Sequence, residues 1–292
     1  MTASLPVLLW WCLGWGIAGL LAWSMVSTQR VLYPERRRLL PPQPLPPYTT
    51  HTLTAVDGAP FDLWRLSSPA PRGRILLCHG YYANRLQVLG LAGGLHERGY
   101  EAILIEWRGH GSRPGPFTFG LKETADAECA LQWAARQGPA LPLGVLGLSM
   151  GGAIAIQIAG RTPQVRAVVV DSTYAQFFPL LADTIRQRYH LPAVPFAWLT
   201  WWALQGVLGA RLSTLDPMRL APRRPMPLLA IQGTKDAFMA AMLPALYDRW
   251  AGPKEQWLIP GVRHVGGYAH APAVYIERVA AFFDRALTEG RK

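Results

Sequence analysis

The stretch GVLGLSMGGA, residues 144–153, places a single serine, Ser149, in the pattern G-x-S-x-G at the end of an apolar run. Glycines two positions before and after a serine let the backbone turn sharply and leave the hydroxyl exposed, as a nucleophile requires. The simpler interpretation is a glycine-rich turn in which Ser149 caps the helix that follows. Five-residue patterns also arise by chance, so the rest of the sequence must distinguish the two.

A nucleophilic serine needs a base to accept its proton, and the base needs a carboxylate to orient it. Both residue types follow Ser149 at the ends of apolar runs: Asp236 comes after PLLAIQG, and His264 comes after EQWLIP. The carboxyl ends of parallel strands meet at one edge of a sheet, so these loops are expected to lie beside Ser149. The sequence therefore predicts Ser149, Asp236 and His264 as the catalytic residues.

Other acids and histidines compete for these two roles. Asp171, at the end of VRAVVVD, reaches the same edge of the sheet and is the main alternative to Asp236. His79 and His110 precede Ser149 in other loops, and His270 lies close to the last predicted helix. We favour Asp236 and His264, because acid and then histidine is the order expected after a serine turn of this type.

Attack of a serine on a carbonyl also needs donors for the negative charge that develops on the carbonyl oxygen. The backbone N–H of Met150, directly after the serine, is the first predicted donor of this oxyanion hole. The second is the N–H of Tyr81, in the HGYYAN loop that follows the strand RILLCHG. An ordinary strand-to-helix turn capped by Asn84 is the alternative interpretation of that loop.

Together these motifs resemble those of the serine hydrolases of the α/β-hydrolase fold. HGYYAN is similar to the family's oxyanion motif, EWRGHGSRPG to its D-x-R-G-H-G-x-S segment, GLSMGG to the serine turn, GTKD to the acid loop and GVRHVG to the histidine loop. The resemblance covers about residues 50–287.

Glu106 stands where many relatives carry Asp, and Arg113 where they carry Ser; we expect both positions to be structural. The resemblance implies a carboxylic ester hydrolase that works through an acyl-enzyme intermediate.

Alternating strand and helix patterns from residue 48 onward must position these side chains. Short apolar runs such as YEAILIEW, LGVLGL and VRAVVVD predict buried parallel strands, and helix-length segments separate them. THTLTAVDG and PFDLWRL predict a hairpin ahead of them. This alternation predicts an α/β fold, with a mainly parallel central sheet and helices on both faces.

Residues 174–222 lie between two predicted strands and hold more chain than one crossover helix requires. We expect them to form a helical cap, rich in aromatic residues, over the site. The stretch LPAVPFAWLTWWALQGVLGA within the cap is uncharged. A single membrane crossing there would place Ser149 and His264 on opposite sides of the bilayer, so we do not expect one.

Residues 2–29 contain no charged side chain, and their apolar centre is long enough to span a bilayer as a helix. A cleaved signal peptide is one alternative, although it would normally begin with basic residues and have a shorter apolar core. A buried helix of a globular domain is another. We expect an uncleaved transmembrane anchor over residues 1–29.

The segment after the predicted anchor is basic and then rich in proline. Residues 30–47 include the run RRR and five prolines in LLPPQPLPPY, which predict a semi-rigid linker that holds the domain away from the bilayer. The hydrolase domain is expected over residues 48–292. Since arginines follow the apolar segment and none precedes it, the positive-inside rule predicts that the domain lies in the cytoplasm.

Composition narrows the class of partner. A net charge of +11, from 29 Lys and Arg against 18 Asp and Glu, suits nucleic acid or an anionic membrane surface. The densest basic cluster directly follows the apolar segment, which favours the membrane, and no nucleic-acid partner is expected. Three cysteines and seven scattered histidines predict neither a disulfide framework nor a metal or other cofactor.

The predicted substrate is a small-molecule or lipid-derived ester with a hydrophobic acyl chain. A thioesterase, a peptidase, an acyltransferase and a non-catalytic binding protein of the same fold are the alternatives, because one fold supports all of them.

Overall fold

The computed structural model describes residues 5–288 and contains one eight-stranded sheet. Its strands are β1 (Thr49–Thr54), β2 (Pro60–Leu66), β3 (Gly73–Cys78), β4 (Tyr100–Ile105), β5 (Leu143–Leu148), β6 (Val165–Asp171), β7 (Leu228–Gly233) and β8 (Lys254–Ile259). Their order across the sheet is β1-β2-β4-β3-β5-β6-β7-β8. The pairs β1–β2 and β2–β4 are antiparallel and the other pairs are parallel. The predicted hairpin and the mainly parallel sheet are confirmed.

Helices cover both faces of this sheet. They are α1 (Leu5–Leu32), α2 (Leu86–His96), α3 (Glu123–Ala135), α4 (Met150–Arg161), α5 (Phe177–Tyr189), α6 (Ala193–Leu208), α7 (Pro217–Leu220), α8 (Ala237–Arg249), α9 (Gly267–His270) and α10 (Pro272–Thr288), with a 3-10 turn at Leu212–Leu215. The helices α2 and α10 pack on one face, whereas α3, α4 and α8 pack on the other.

The central strands are apolar at nearly every position because both of their faces are buried. All six residues of β3 are buried. Leu76 and Cys78 pack in the core on the α3–α4 side, whereas Ile75 and Leu77 pack on the α2–α10 side. This period of two divides the apolar residues between two cores and fixes which face of the sheet each one covers.

The predicted cap region contains α5, α6, the 3-10 turn and α7. By contrast, no helix was predicted at α8, which contains Pro244 and follows Asp236 directly. Proline in a helix interior removes a hydrogen bond and crowds the preceding turn. Leu243 and Leu246 are buried in the core between α8 and the sheet, and their burial compensates for that cost.

The helix α1 has 28 residues and ends three positions beyond the predicted end of the anchor. The part from Leu9 to Leu32 is long and apolar enough to cross a membrane, and within residues 5–288 no other helix meets that criterion. Leu9, Trp10 and Trp15 are exposed, as side chains facing lipid would be.

The C-terminal third of α1 packs against the cap. Trp23 Nε1 donates to the carbonyl of Phe196 at 3.2 Å, and Ser27 Oγ lies 2.7 Å from Thr200 Oγ1. Leu32 is buried, and its carbonyl accepts a hydrogen bond of 2.7 Å from the N–H of the loop residue Phe117. The end of the helix is therefore fastened to the domain. The proline-rich segment does not hold the two apart, because it begins after this contact.

Candidate active site

Ser149 occupies a strained turn between β5 and α4. Its backbone angles, φ 53° and ψ −117°, lie in a region that side-chain-bearing residues rarely adopt. A Cβ on Gly147 would collide with the carbonyl of Gly151, and one on Gly151 would collide with the carbonyl of Cys78. The Ser149 N–H donates to Asp171 O at 2.8 Å, which ties the turn to β6. The hydroxyl forms no capping bond to α4, so the helix-cap interpretation does not describe it.

The structure brings the three predicted catalytic residues together. Ser149 Oγ lies 2.9 Å from His264 Nε2, and His264 Nδ1 lies 2.6 Å from Asp236 Oδ2. The side chain of Asp236 is 10% exposed and that of His264 is 42% exposed. When Nδ1 carries the proton and donates it to the carboxylate, Nε2 presents a lone pair to the serine hydroxyl. This is the arrangement of a serine nucleophile, its base and an orienting acid.

Asp171, the alternative acid, lies under the site with other partners. Its Oδ1 accepts a hydrogen bond from Ser172 Oγ at 2.8 Å, and its Oδ2 accepts one from Tyr275 OH at 2.9 Å. Burial raises the pKa of Asp171 to about 6, although these two hydroxyls act to lower it. Ser172 Oγ also accepts the N–H of Val265 at 3.1 Å. Asp171 thus supports the loop that carries His264.

The two predicted oxyanion donors, Met150 and Tyr81, line the same cavity as Ser149. A Cβ built on Gly80 would lie 3.5 Å from Ser149 Cβ, so the loop before Tyr81 packs directly on the serine turn. The Gly80 N–H donates to Gln87 Oε1 at 2.7 Å. Met150 is the first residue of its helix, so its N–H has no acceptor one turn earlier. Within the described residues 5–288, neither the Tyr81 N–H nor the Met150 N–H is engaged in a hydrogen bond.

The other three histidine candidates lie in different environments. His79 is buried, and its Nε2 accepts the N–H of Trp107 at 3.1 Å. His110 is also buried, with Nδ1 2.8 Å from Arg108 O, and burial lowers its pKa to about 3. His270 is exposed at the end of α9. Across residues 5–288, no three His, Cys, Asp or Glu side chains are grouped as a metal site.

Glu106 and Arg113, the two departures from the family pattern, belong to a buried network. Arg113 Nη1 donates to Glu106 O at 3.0 Å, and its Nη2 donates to Asp126 at 2.7 Å. Glu106 Oε1 accepts the N–H of Arg85 at 3.0 Å. Although burial raises the pKa of Glu106, the charge and the backbone N–H of Arg85 act to lower it, and the resulting pKa lies below its ordinary value. These contacts join the loop at Arg85 to the loop at Arg113 and to α3.

A cavity of about 530 Å³ lies beside Ser149 and reaches from the cap to the end of α1. Phe119, Phe177, Leu181 and Ile185 give part of its wall an apolar character.

The wall that α1 contributes was not predicted from the sequence. Ser27, Arg30 and Val31 line the cavity. The hydroxyl of Tyr81 lies 2.8 Å from the carbonyl of Val31 and 3.1 Å from that of Arg30. Tyr81, whose N–H is a predicted oxyanion donor, is thereby attached to the helix. No motif in α1 signals this role, because it depends on how the helix packs.

Several known proteins and one protein family are similar in sequence to this chain. The family described as "Serine aminopeptidase, S33" matches residues 69–198. An uncharacterized protein of Mycobacterium tuberculosis is 30% identical over 193 residues, which cover 65% of this chain and 62% of that protein. The chain thus spans less than two thirds of that relative. The protein YqkD of Bacillus subtilis is 26% identical over 215 residues, or 72% of this chain and 70% of YqkD.

The solved structures of two esterases are similar in architecture to this chain. An esterase of Pyrococcus furiosus has a TM-score of 0.71 and 22% identity, covering 88% of this chain and 98% of its own. The esterase domain of a Rhodothermus marinus protein has a TM-score of 0.61 and 16% identity, covering 82% of this chain and 100% of its own. At these identities the likeness concerns the fold.

Proposed function

Since the chain belongs to the α/β-hydrolase fold group and resembles its serine hydrolases, we propose that it hydrolyses carboxylic esters through Ser149. The observation that carries the proposal is the hydrogen-bonded chain from Ser149 through His264 to Asp236, with contacts of 2.9 and 2.6 Å. This chain of contacts stands at the carboxyl edge of the sheet and opens into an apolar-walled cavity.

In the first half of the reaction, Ser149 Oγ attacks the ester carbonyl carbon while His264 Nε2 takes the hydroxyl proton. Electrons of the carbonyl bond move to its oxygen, and the N–H groups of Tyr81 and Met150 stabilise that charge. Asp236 stabilises the protonated imidazole. The carbon–oxygen bond to the alcohol then breaks, and the alcohol leaves with the proton from His264. The acyl group remains on Ser149.

In the second half, water attacks the acyl-enzyme and gives a proton to His264. The tetrahedral intermediate collapses, the carboxylic acid leaves, and the proton returns to Ser149 Oγ. The same two N–H donors serve both intermediates, because both place negative charge on the same oxygen.

The apolar wall supports a substrate with a hydrophobic acyl chain. Phe119, Phe177, Leu181 and Ile185 would cover such a chain, and burial stabilises it by about 0.8 kcal/mol per methylene. Four further methylenes would then contribute about 3 kcal/mol, or roughly a hundredfold in kcat/KM. The helix α1 would hold the enzyme at a membrane, where lipid-derived esters are concentrated.

A chain-length series tests this proposal. The full-length protein in neutral detergent would be assayed with p-nitrophenyl acetate, butyrate and octanoate, with Ser149→Ala as the control. We expect kcat/KM to rise with chain length and the control to show only background hydrolysis. Values that fall steadily with chain length would contradict the hydrophobic acyl class. Equal rates for the control and the wild type would contradict the hydrolase itself.

A further inference from the structure

Three arginines line the cavity that contains Ser149: Arg30 in the last turn of α1, Arg37 in the segment after it, and Arg188 in α5. No Asp or Glu is among the lining residues in the part of the chain the structure describes. Within that same part, none of the three forms an ion pair with a carboxylate. The arginine cluster, Arg30, Arg37 and Arg188, therefore concentrates positive charge on the cavity wall, although Glu35 acts electrostatically on the neighbouring Tyr82.

Two tyrosines hold this cluster together. The guanidinium carbons of Arg37 and Arg188 lie 5.3 and 5.7 Å from the centroid of the Tyr82 ring. Arg188 Nη1 donates to the Tyr82 hydroxyl at 3.1 Å, and Arg30 Nη1 lies 3.5 Å from the Tyr189 hydroxyl. Arg37 and Arg188 carry like charges and contact the same ring, so they repel one another, and an anion bound to both would relieve the repulsion.

The arginine cluster and Ser149 line the same cavity. Tyr82, whose ring contacts Arg37 and Arg188, directly follows Tyr81, whose N–H is a proposed oxyanion donor. Arginine presents a planar set of N–H donors that matches the oxygens of a phosphate. A phosphate on the alcohol side of the ester could therefore reach the arginines while Ser149 attacks the acyl carbonyl.

We infer that the substrate is an acyl ester of glycerol that carries a phosphate on its alcohol portion, and that Arg30, Arg37 and Arg188 bind this phosphate. The inference rests on the proposed ester hydrolysis. The phosphate belongs to the alcohol portion of the ester, because the acyl chain of a lipid ester is apolar throughout. The position of Arg30 at the end of α1 agrees, since the end of a membrane helix meets the depth of lipid headgroups.

The competing explanation is that these arginines attract an anionic membrane in general and bind no particular phosphate. Two other arginines, which lie outside the cavity, serve as controls that distinguish the two explanations. Arg38 follows Arg37 directly, and Arg186 lies on α5 with Arg188. Both are exposed, and neither lines the cavity within residues 5–288. The pairs R37Q/R188Q and R38Q/R186Q remove the same amount of charge from the same two segments.

The test measures oleate release by the full-length protein from 1-oleoylglycerol and from its 3-phosphate, at equal surface concentration in neutral detergent micelles. The readout is the ratio of kcat/KM for the phosphate over the neutral substrate. We expect a ratio of at least about ten in the wild type, as charge-assisted hydrogen bonds would give. R38Q/R186Q should keep that ratio, whereas R37Q/R188Q should bring it close to one.

A wild-type ratio near or below one would overturn the inference, and so would an equal fall of the ratio in both double variants. The first outcome needs no variant, so it remains decisive even when R37Q/R188Q fails to fold. Neither outcome touches the proposed hydrolysis, which is judged separately by the loss of p-nitrophenyl ester turnover in Ser149→Ala.

Discussion

At the residue scale, two carboxylates lie close to the loop of His264 and differ in environment. Asp236 is near the surface and accepts the hydrogen bond from His264 Nδ1. Asp171 is fully buried, and burial raises its pKa to about 6. A carboxylate that offsets the charge of a protonated imidazole acts most strongly when it touches the ring. Asp236 touches the ring, whereas Asp171 accepts its hydrogen bonds from Ser172 and Tyr275.

Asp236→Asn should therefore lower kcat for p-nitrophenyl butyrate by about 10³- to 10⁴-fold, because an amide can hold His264 in the wrong tautomer. Asp171→Asn is the matched control, since it makes the same chemical change in the same region. It should keep at least about a tenth of the wild-type kcat, because Asp171 acts on the loop through Ser172. A larger loss in Asp171→Asn than in Asp236→Asn would reverse the assignment.

The raised pKa of Asp171 also predicts how stability depends on pH. The folded value, about 6, lies above the ordinary value of 3.8, so the native state binds the proton more tightly than the unfolded chain. Stability should fall as the pH rises from about 4 to 6, by up to about 3 kcal/mol from this group. Asp171→Asn cannot ionise and should lack this loss.

Thermal midpoints from tryptophan fluorescence between pH 4 and pH 8 would check this expectation. The midpoint of the wild type relative to Asp171→Asn should drop between about pH 4 and 6 and then level off. A difference between the two proteins that is constant over the whole range would contradict it.

At the scale of elements, the end of α1 belongs to the wall of the active site. It contacts the cap through Trp23 and Ser27, and it contacts the oxyanion loop through the hydroxyl of Tyr81. The apolar side chain of Leu32 is buried in the domain. The helix thereby helps to position both the cap and the loop that carries a proposed oxyanion donor.

Removing residues 1–47 should lower the thermal midpoint in detergent by roughly 5–15 °C, since it removes buried apolar area and leaves Thr200 without its partner on α1. The control is removal of residues 1–15, which keeps Trp23, Ser27 and Leu32. Its midpoint should stay within about 2 °C of the wild type. Equal midpoints for the two truncated proteins would show that the packing of α1 against the domain contributes no stability.

The sequence predicted the elements whose pattern is local and failed where tertiary contacts decide. Apolar runs bounded by turn residues are enough to place a strand such as β5, and the motif around Ser149 is local by nature. The helix α8 was not predicted, and it forms despite Pro244 because burial of its apolar residues against the sheet compensates for the proline. The docking of α1 and the supporting role of Asp171 were also missed, because each depends on residues far away in the chain.

At the scale of the whole molecule, exposed apolar side chains lie on two helices that pack together. Trp10 and Trp15 on α1 are exposed, as are Trp198 and Trp202 on α6. Exposed apolar surface of this extent is typical of a membrane contact. We propose that α1 spans the bilayer, that the exposed side of α6 touches the bilayer surface, and that the domain lies in the cytoplasm, on the side where arginines follow the helix.

This topology can be measured with reporters fused to the C-terminus in a bacterial host. A fluorescent protein should be fluorescent there, and alkaline phosphatase should be inactive, because the phosphatase folds only after export. The same proteins should sediment with membranes and resist extraction by high salt. An active phosphatase fusion would place the domain on the opposite side.

The central claim, that Ser149 is the nucleophile, is tested most directly by covalent labelling with a fluorophosphonate probe and mapping of the modified peptide by mass spectrometry. The oxygen of an activated serine displaces fluoride from such a probe, whereas an ordinary serine does not react. We predict one modified residue, Ser149, and loss of labelling in Ser149→Ala. We also predict slow labelling in a folded His264→Gln variant, which keeps the serine but lacks its base. Full labelling of Ser149→Ala, or modification of another residue in the wild type, would contradict the account.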